Sequence, residues 1–205
     1  MGKAFTEAER AAVQERLRRA GLELFARKGI KGVSIRDLAA AAGIAQGGFY
    51  TFYENKEDFL CDLMELRVRE KLTLLRGRNQ ESLGDPAGFL SGVFCSEGLH
   101  LKENKLFDNM ISGTLAFFYD REKNIRERVS SLYRAYLEDL FACWEENGYL
   151  VTADLDGLMN LIRAAGILFS NAALLDDAYF KQTYRCFCEA GVRQVLKVVP
   201  RDAAG

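Results

Sequence analysis

Gln46, Tyr50 and Thr51 carry the side chains whose chemistry points outward from this chain. A glutamine amide presents an acceptor beside a donor, the pair that matches N6 and N7 of adenine in a major groove, while the two hydroxyls suit phosphate oxygens. Gly47 and Gly48 lie between them and cost a helix roughly 1 kcal/mol each relative to alanine. A face without side chains lets backbone approach a groove wall. Lys56 follows at the first position of the next helix, where an ammonium opposes the helix dipole by a few tenths of a kcal/mol. A DNA phosphate would turn that position into an anion site built from ammonium and helix N-terminus.

The groups that hydrolytic or metal chemistry needs are sparse. One histidine, His100, serves 205 residues, which removes most general-base and metal-ligand constellations, so no catalytic residue, metal site or cofactor is expected. Five cysteines (Cys61, Cys95, Cys143, Cys186 and Cys188) make an odd count without a CxxC pair. Neither a disulfide framework nor a zinc site follows from them. Cys186 and Cys188 point in different directions on a helix, which disfavours a redox pair.

The outward-facing residues need a scaffold, and the run VSIRDLAAAAGIAQGGFYTFYENKED from Val33 to Asp58 supplies it. Ser34 and Asp37 form a capping box for a helix from Ile35, whose apolar face is Leu38, Ala39 and Ala42. Gly43 stops that helix. Ile44, Phe49 and Phe52 resume an apolar spacing, so a second short helix packs across the first as a helix-turn-helix. Asn55 and Asp58 cap the helix that follows. Ahead of the unit, Thr6 to Lys28 repeats Val13, Leu17, Ala20, Leu24 and Phe25 at the helical period, with Thr6 and Glu9 as a capping box and Gly29 as the stop. Through Lys56 there are ten Lys/Arg against six Asp/Glu, an excess of four; the remainder carries 18 against 23. A basic head on an acidic body suits a nucleic-acid reader.

The rest is expected to be helical. Hydrophobic residues make up 49% of the chain, with two prolines and no alternating β-type segment, so the fold class is all-α. No apolar run approaches 18 residues and the first residues are charged, so neither a membrane span nor a secretory signal is expected and the protein is placed in the cytoplasm. A helix over 56–76 links the two domains. After the break RGRNQESLGDPAG, helices are expected over 86–101, 104–111, 113–147 (interrupted near Tyr119 to Lys123), 154–175 and 178–199. Phe89, Phe94, Phe107, Phe117 and Trp144 are candidates to line an apolar cavity among them. The last two helices are apolar on most sides, which predicts a two-fold homodimer interface through Leu158, Ile162, Gly166, Phe169, Tyr184, Phe187, Gly191 and Val195. Two reading heads held apart then read both halves of a palindrome.

These features resemble the TetR family of transcriptional regulators. The likeness rests on the first helix ending LFARKG, the VSIRDLAAAAGI run, the G-x-F-Y core of the recognition helix and the NKEDFL start of the fourth helix. It implies a helix-turn-helix DNA-binding domain over residues 1–54 and a helical ligand-binding and dimerisation domain over 55–205. It further implies that Ser34, Arg36, Gln46, Gly47, Gly48, Tyr50, Thr51 and Lys56 contact a double-stranded operator, Tyr50 and Lys56 through phosphates. The implied partners are that duplex, a small-molecule effector and a second copy, with no membrane. Two positions depart from the family pattern. Ala45 replaces a capping Ser or Thr, a loss of about 0.5–2 kcal/mol, and Gly48 replaces a side chain that usually faces DNA. The recognition helix is therefore expected to be mobile without DNA, and a helical sensor or interaction protein that has lost specific DNA binding is the alternative reading.

Overall fold

A computed structural model describes residues 6–103 and 123–203. They fall into two compact units, the first over residues 6–67 and the second over 68–103 with 123–203, so packing divides the chain after Arg67, inside a continuous helix. The first unit holds α1 (Glu7–Lys28), α2 (Ile35–Ala41), α3 (Gln46–Phe49) and the first half of α4 (Lys56–Arg76). Both expected capping boxes are formed. Thr6 Oγ1 accepts from the Glu9 amide while Glu9 accepts from the Thr6 amide, and Ser34 and Asp37 repeat the exchange. Gly29 (φ 67°) and Gly43 (φ 71°) turn the chain after α1 and α2 in a backbone region that disfavours other residues.

The apolar periods converge on one core. Leu17, Phe25, Leu38, Phe49, Phe59 and Leu63 are sealed from solvent, and Ile44 and Phe52 pack half-buried against them. Phe59 sits at the centre, its ring 4.9 Å from Tyr53, 5.8 Å from Phe49 and 6.1 Å from Phe25 between centroids. The α1 backbone closes over that ring at Gly21, where a Cβ would lie 2.5 Å from Phe59 Cζ. Glycine is required there by approach and not by φ.

In the second unit a 3₁₀ turn (Asn79–Gly84) leads to α5 (Pro86–Glu103), α6 (Lys123–Glu146), β1 (Tyr149–Ala153), α7 (Leu155–Ser170), α8 (Asp177–Val195) and β2 (Leu196–Pro200). α5 starts with proline at its first position, and Asp85 accepts from the Gly88 amide. α8 lies along both α5 and α7. Leu90, Leu137, Leu140, Trp144, Leu158 and Val192 form the centre of the core.

Two short strands interrupt the expected all-helical body, which is otherwise helical. β1 pairs antiparallel with β2 in the register Leu150↔Val199 and Val151↔Val198. The helix expected to reach residue 199 therefore stops at Val195, and the Asp154 amide donates to the Val195 carbonyl. β-branched Val151, Thr152, Val198 and Val199 favour the extended form once a partner strand is present, and that partner lies far away in sequence. α7 likewise ends at Ser170 instead of 175, followed by a 3₁₀ turn over Ala172–Leu174. The helix expected over 104–111 lies outside the described residues. No helix among the described residues is long and apolar enough to cross a membrane.

Candidate nucleic-acid interface

The predicted DNA-contacting residues sit where α2, α3 and the turn after α3 meet solvent. Ser34, Arg36, Gln46, Gly47 and Thr51 are exposed, Gly48 and Lys56 are half-buried, and Tyr50 is 54% exposed although its ring edge meets Phe49 at 5.8 Å. α3 has four residues, and Ala45 makes no side-chain cap. Past Phe49 the chain continues in turns, with the Thr51 amide donating to Gly48 O and the Phe52 and Tyr53 amides both donating to Phe49 O. A helix this short does not hold itself together in water. Its shape comes from what packs against it.

Lys56 has a use that sequence reading did not anticipate. Its Nζ donates to the carbonyls of Ile30 (2.9 Å) and Val33 (3.0 Å), stapling the start of α4 to the turn before α2. An ammonium has three N–H groups, which leaves one for a phosphate. Lys56→Met is therefore expected to lower the stability of the free N-terminal unit by about 1–3 kcal/mol, read as the urea midpoint without DNA. An unchanged midpoint would show that the staple contributes nothing.

A second set of residues missed by sequence reading braces the unit from α1. Arg10 Nη2 donates to Thr51 O at 3.0 Å, Gln14 Nε2 to the Tyr53 hydroxyl at 3.2 Å, and Arg16 Nε to Ala42 O at 3.0 Å. Arg18 donates to both carboxylate oxygens of Asp62 at 2.8 and 2.7 Å, and the Tyr53 hydroxyl donates to the same carboxylate at 2.7 Å. Burial, reinforced by the bond to Asp62, pushes the Tyr53 hydroxyl well above its ordinary range, so it remains a donor at any working pH. Asp62 in turn raises Arg18 further. The Ser34 hydroxyl and amide hold the Asp37 carboxylate below its usual range, keeping the α2 cap charged. Several of the cations counted as a basic head thus already bond groups of the protein itself. The signal available in the sequence was the four-residue spacing of Arg10, Gln14 and Arg18, which puts all three on one face of a helix.

The remaining predicted sites lie in the second unit. Trp144, expected in a pocket wall, is fully buried with its indole N–H donating to Ser82 Oγ at 2.6 Å, so it serves as core. Phe89 lies beneath Arg78 with the guanidinium carbon 5.7 Å from its centroid, Phe94 is half-buried in the same core, and Phe107 and Phe117 lie outside the described residues. A cleft of about 410 Å³ does open on this unit, but its lining is polar: Glu127, Ser130, Ser131, Arg134 and Arg163 with Met159. None of the three described candidates, Phe89, Phe94 and Trp144, lines it.

The predicted dimer residues divide by burial. Leu158 (0% exposed), Tyr184 (2%) and Phe169 are buried inside a single protomer and have no surface to offer a copy. Gly191 serves the close approach of α8 to α7, since a Cβ there would lie 2.4 Å from Leu161 Cδ1. Ile162, Gly166, Phe187 and Val195 keep partial exposure. Large apolar side chains in solvent close to them in sequence include Ile167 (47%), Leu174 (83%) and Tyr179 (65%), which sequence reading passed over. Cys188 is buried, and burial pushes its thiol up to about 12, leaving little thiolate for redox chemistry.

A short helix crossing a capped one at a glycine turn, with amide and hydroxyl side chains exposed, defines a helix-turn-helix protein. Residues 17–63 match the family described as bacterial regulatory proteins, tetR family. The chain is 32% identical over 92 residues to the HTH-type transcriptional repressor KstR2 of Mycolicibacterium smegmatis, 43% of each protein. It is 27% identical over 73 residues to an uncharacterized HTH-type transcriptional regulator, YerO, of Bacillus subtilis, 36% of this chain and 25% of that one. The matches thus span less than half the length of these curated relatives. Among solved structures, RolR in complex with resorcinol superposes with a TM-score of 0.69 at 20% identity, covering 93% of this chain and 90% of that one, a likeness of fold. Residues 17–63 thus carry the N-terminal domain of the tetR family of bacterial regulatory proteins, and the chain's fold is like that of solved TetR-type regulators.

Proposed function

We propose that this regulator is a repressor that binds a palindromic operator as a homodimer and leaves it when a small apolar or aromatic effector binds among the C-terminal helices. The observation that carries the DNA half is the exposure of Gln46 and Gly47 on an intrinsically weak helix and of Tyr50 and Thr51 on the braced turn after it. Apolar Ile167, Leu174 and Tyr179 in solvent support a second copy over α7, α8 and their connection, a surface outside the buried residues named above. The effector class is supported by the aromatic-rich body and by resorcinol bound to RolR, a protein of like fold. α4 contributes residues to both compact units, so it is the element through which an effector would alter the spacing of two reading heads.

The test is a gel-shift and titration on duplex from the region flanking the protein's own gene, with a panel of hydrophobic compounds added. Salt-sensitive binding to one sequence, lost with some compound, is expected. Absence of any shift at low salt would instead favour the non-DNA-binding sensor, which the uncapped α3 also fits.

The glycines offer a prediction of opposite signs. A Cβ at Gly47 meets nothing within 4 Å, so the folded protein does not need glycine there. Gly47→Ala is expected to stabilise the free unit by about 0.5–1 kcal/mol while weakening duplex binding, because the methyl group stands where backbone would meet a groove wall. Thermal melting and titration of the same preparation measure both. Equal or tighter binding by the variant would remove the close-approach role.

A further inference from the structure

α1 carries three polar residues spaced four apart, Arg10, Gln14 and Arg18, and each reaches the recognition turn or the helix beyond it. Arg10 Nη2 donates to Thr51 O at 3.0 Å, and its guanidinium carbon stands 5.2 Å from the centroid of Phe52. One turn on, Gln14 Nε2 donates to the Tyr53 hydroxyl at 3.2 Å; a further turn on, Arg18 grips Asp62. Three consecutive residues, Thr51 to Tyr53, are therefore fastened from one face of α1.

The turn they form follows a helix that cannot define its own geometry. α3 has four residues, no side-chain cap at Ala45, and two glycines among the four. Phe52 and Tyr53 are anchored in the aromatic core, but Thr51 is exposed, and its carbonyl accepts from Arg10. A guanidinium is planar, so it lies over a ring and donates from its edge at once; an ammonium is a point charge without that geometry.

We infer that Arg10 is a positioning residue that sets the sequence specificity of DNA reading by holding the Thr51–Phe52 turn, and is not a phosphate contact. This rests on the DNA-binding reading above. A cation near the start of α1 in a DNA-binding unit invites the phosphate interpretation, and the two roles separate in measurement. A phosphate contact adds equally to every sequence and contributes about one unit per protomer to the salt slope. A positioning residue matters only where bases are read, and its removal leaves that slope alone.

The experiment uses the full chain with two duplexes of equal length, one enriched by repeated selection with the wild-type protein from a randomised pool and one scrambled. Arg10→Ala and Arg10→Lys are titrated against both over a range of salt. Loss of roughly five- to tenfold on the enriched duplex is expected for Arg10→Ala, with little change on the scrambled one, an unaltered salt slope and no rescue by lysine. Equal loss on both duplexes, a slope smaller by about one per protomer and rescue by lysine would overturn the inference. Amide exchange in the free protein supplies a readout that needs no DNA. The Phe52 and Tyr53 amides donate to Phe49 O at 2.9 and 3.1 Å, and both should exchange faster in Arg10→Ala while the α1 core amides of Leu24 and Phe25 do not. Unchanged exchange at both positions also overturns it. Failure to enrich any duplex would sink the DNA-binding reading itself, and the exchange arm would still report whether Arg10 holds the turn.

Discussion

Phe59→Ala is expected to abolish cooperative folding of the N-terminal unit and, with it, duplex binding. The ring is fully buried, touches Phe25, Phe49 and Tyr53, and fills the space that Gly21 opens in α1. Truncating a buried phenylalanine to alanine costs about 3–5 kcal/mol, lost burial plus the cavity left behind. A unit of some sixty residues has little more than that in total. Collapse of the cavity is limited because the neighbours are stiff rings. Circular dichroism should show loss of helix at 25 °C, and titration should show no shift on any duplex. Emission from the single tryptophan, Trp144, lies in the other unit's core and reports on that unit separately. Phe59→Leu, which keeps most of the volume, should fold with a lowered midpoint. A Phe59→Ala protein that melts at the wild-type temperature would show that the aromatic cluster is not what holds the unit.

The second large effect is expected at Asp62, which no motif marks. Its carboxylate accepts from Arg18 twice and from Tyr53 once. Asp62→Ala leaves a guanidinium and a phenol in a mostly enclosed site without their acceptor. Breaking a fully buried ion pair costs about 3–5 kcal/mol; the Arg18 and Asp62 side chains each retain 24% exposure, which lets water recover part of that. A loss of about 2–3 kcal/mol follows. Arg18→Met in the same background should cost much less than it does alone, because the charge it removes is already unpaired. A double-mutant cycle in urea measures this coupling. Additive effects would mean that the pair is a surface contact of little consequence.

Much of the reading head was legible before any coordinates. Thr6/Glu9 and Ser34/Asp37 form their boxes, Gly29 and Gly43 end their helices, and Phe49 and Phe59 are core because their spacing leaves them no other face. The weakness of the recognition helix was also legible in Ala45 and Gly47-Gly48. Its consequence was not, since the turn after it is held by Arg10, Gln14 and Tyr53 from outside the helix. The charge count over the first 56 residues overstated the cations free for DNA. It could not tell that Arg16 and Arg18 are bonded to Ala42 and Asp62. In the body, the apolar character of the last two helices was read as a surface for a partner, whereas Leu158 lies in the protomer's own core with residues of α5 and α6, and Tyr184 is buried against Phe180 of its own helix.

The sequence by itself determined the helix-turn-helix, its caps and stops, and the periods of the long helices, because each depends on residues within about four positions of one another. Only the tertiary structure decided what Lys56 bonds, which face of α1 braces the recognition turn, that residues 149–153 find 196–200 as a partner strand, and which apolar side chains remain in solvent. The physical reason is one of range. Hydrophobic period tells that a face will be buried, while what it is buried against, and which polar groups then need a partner, is settled by elements distant along the chain.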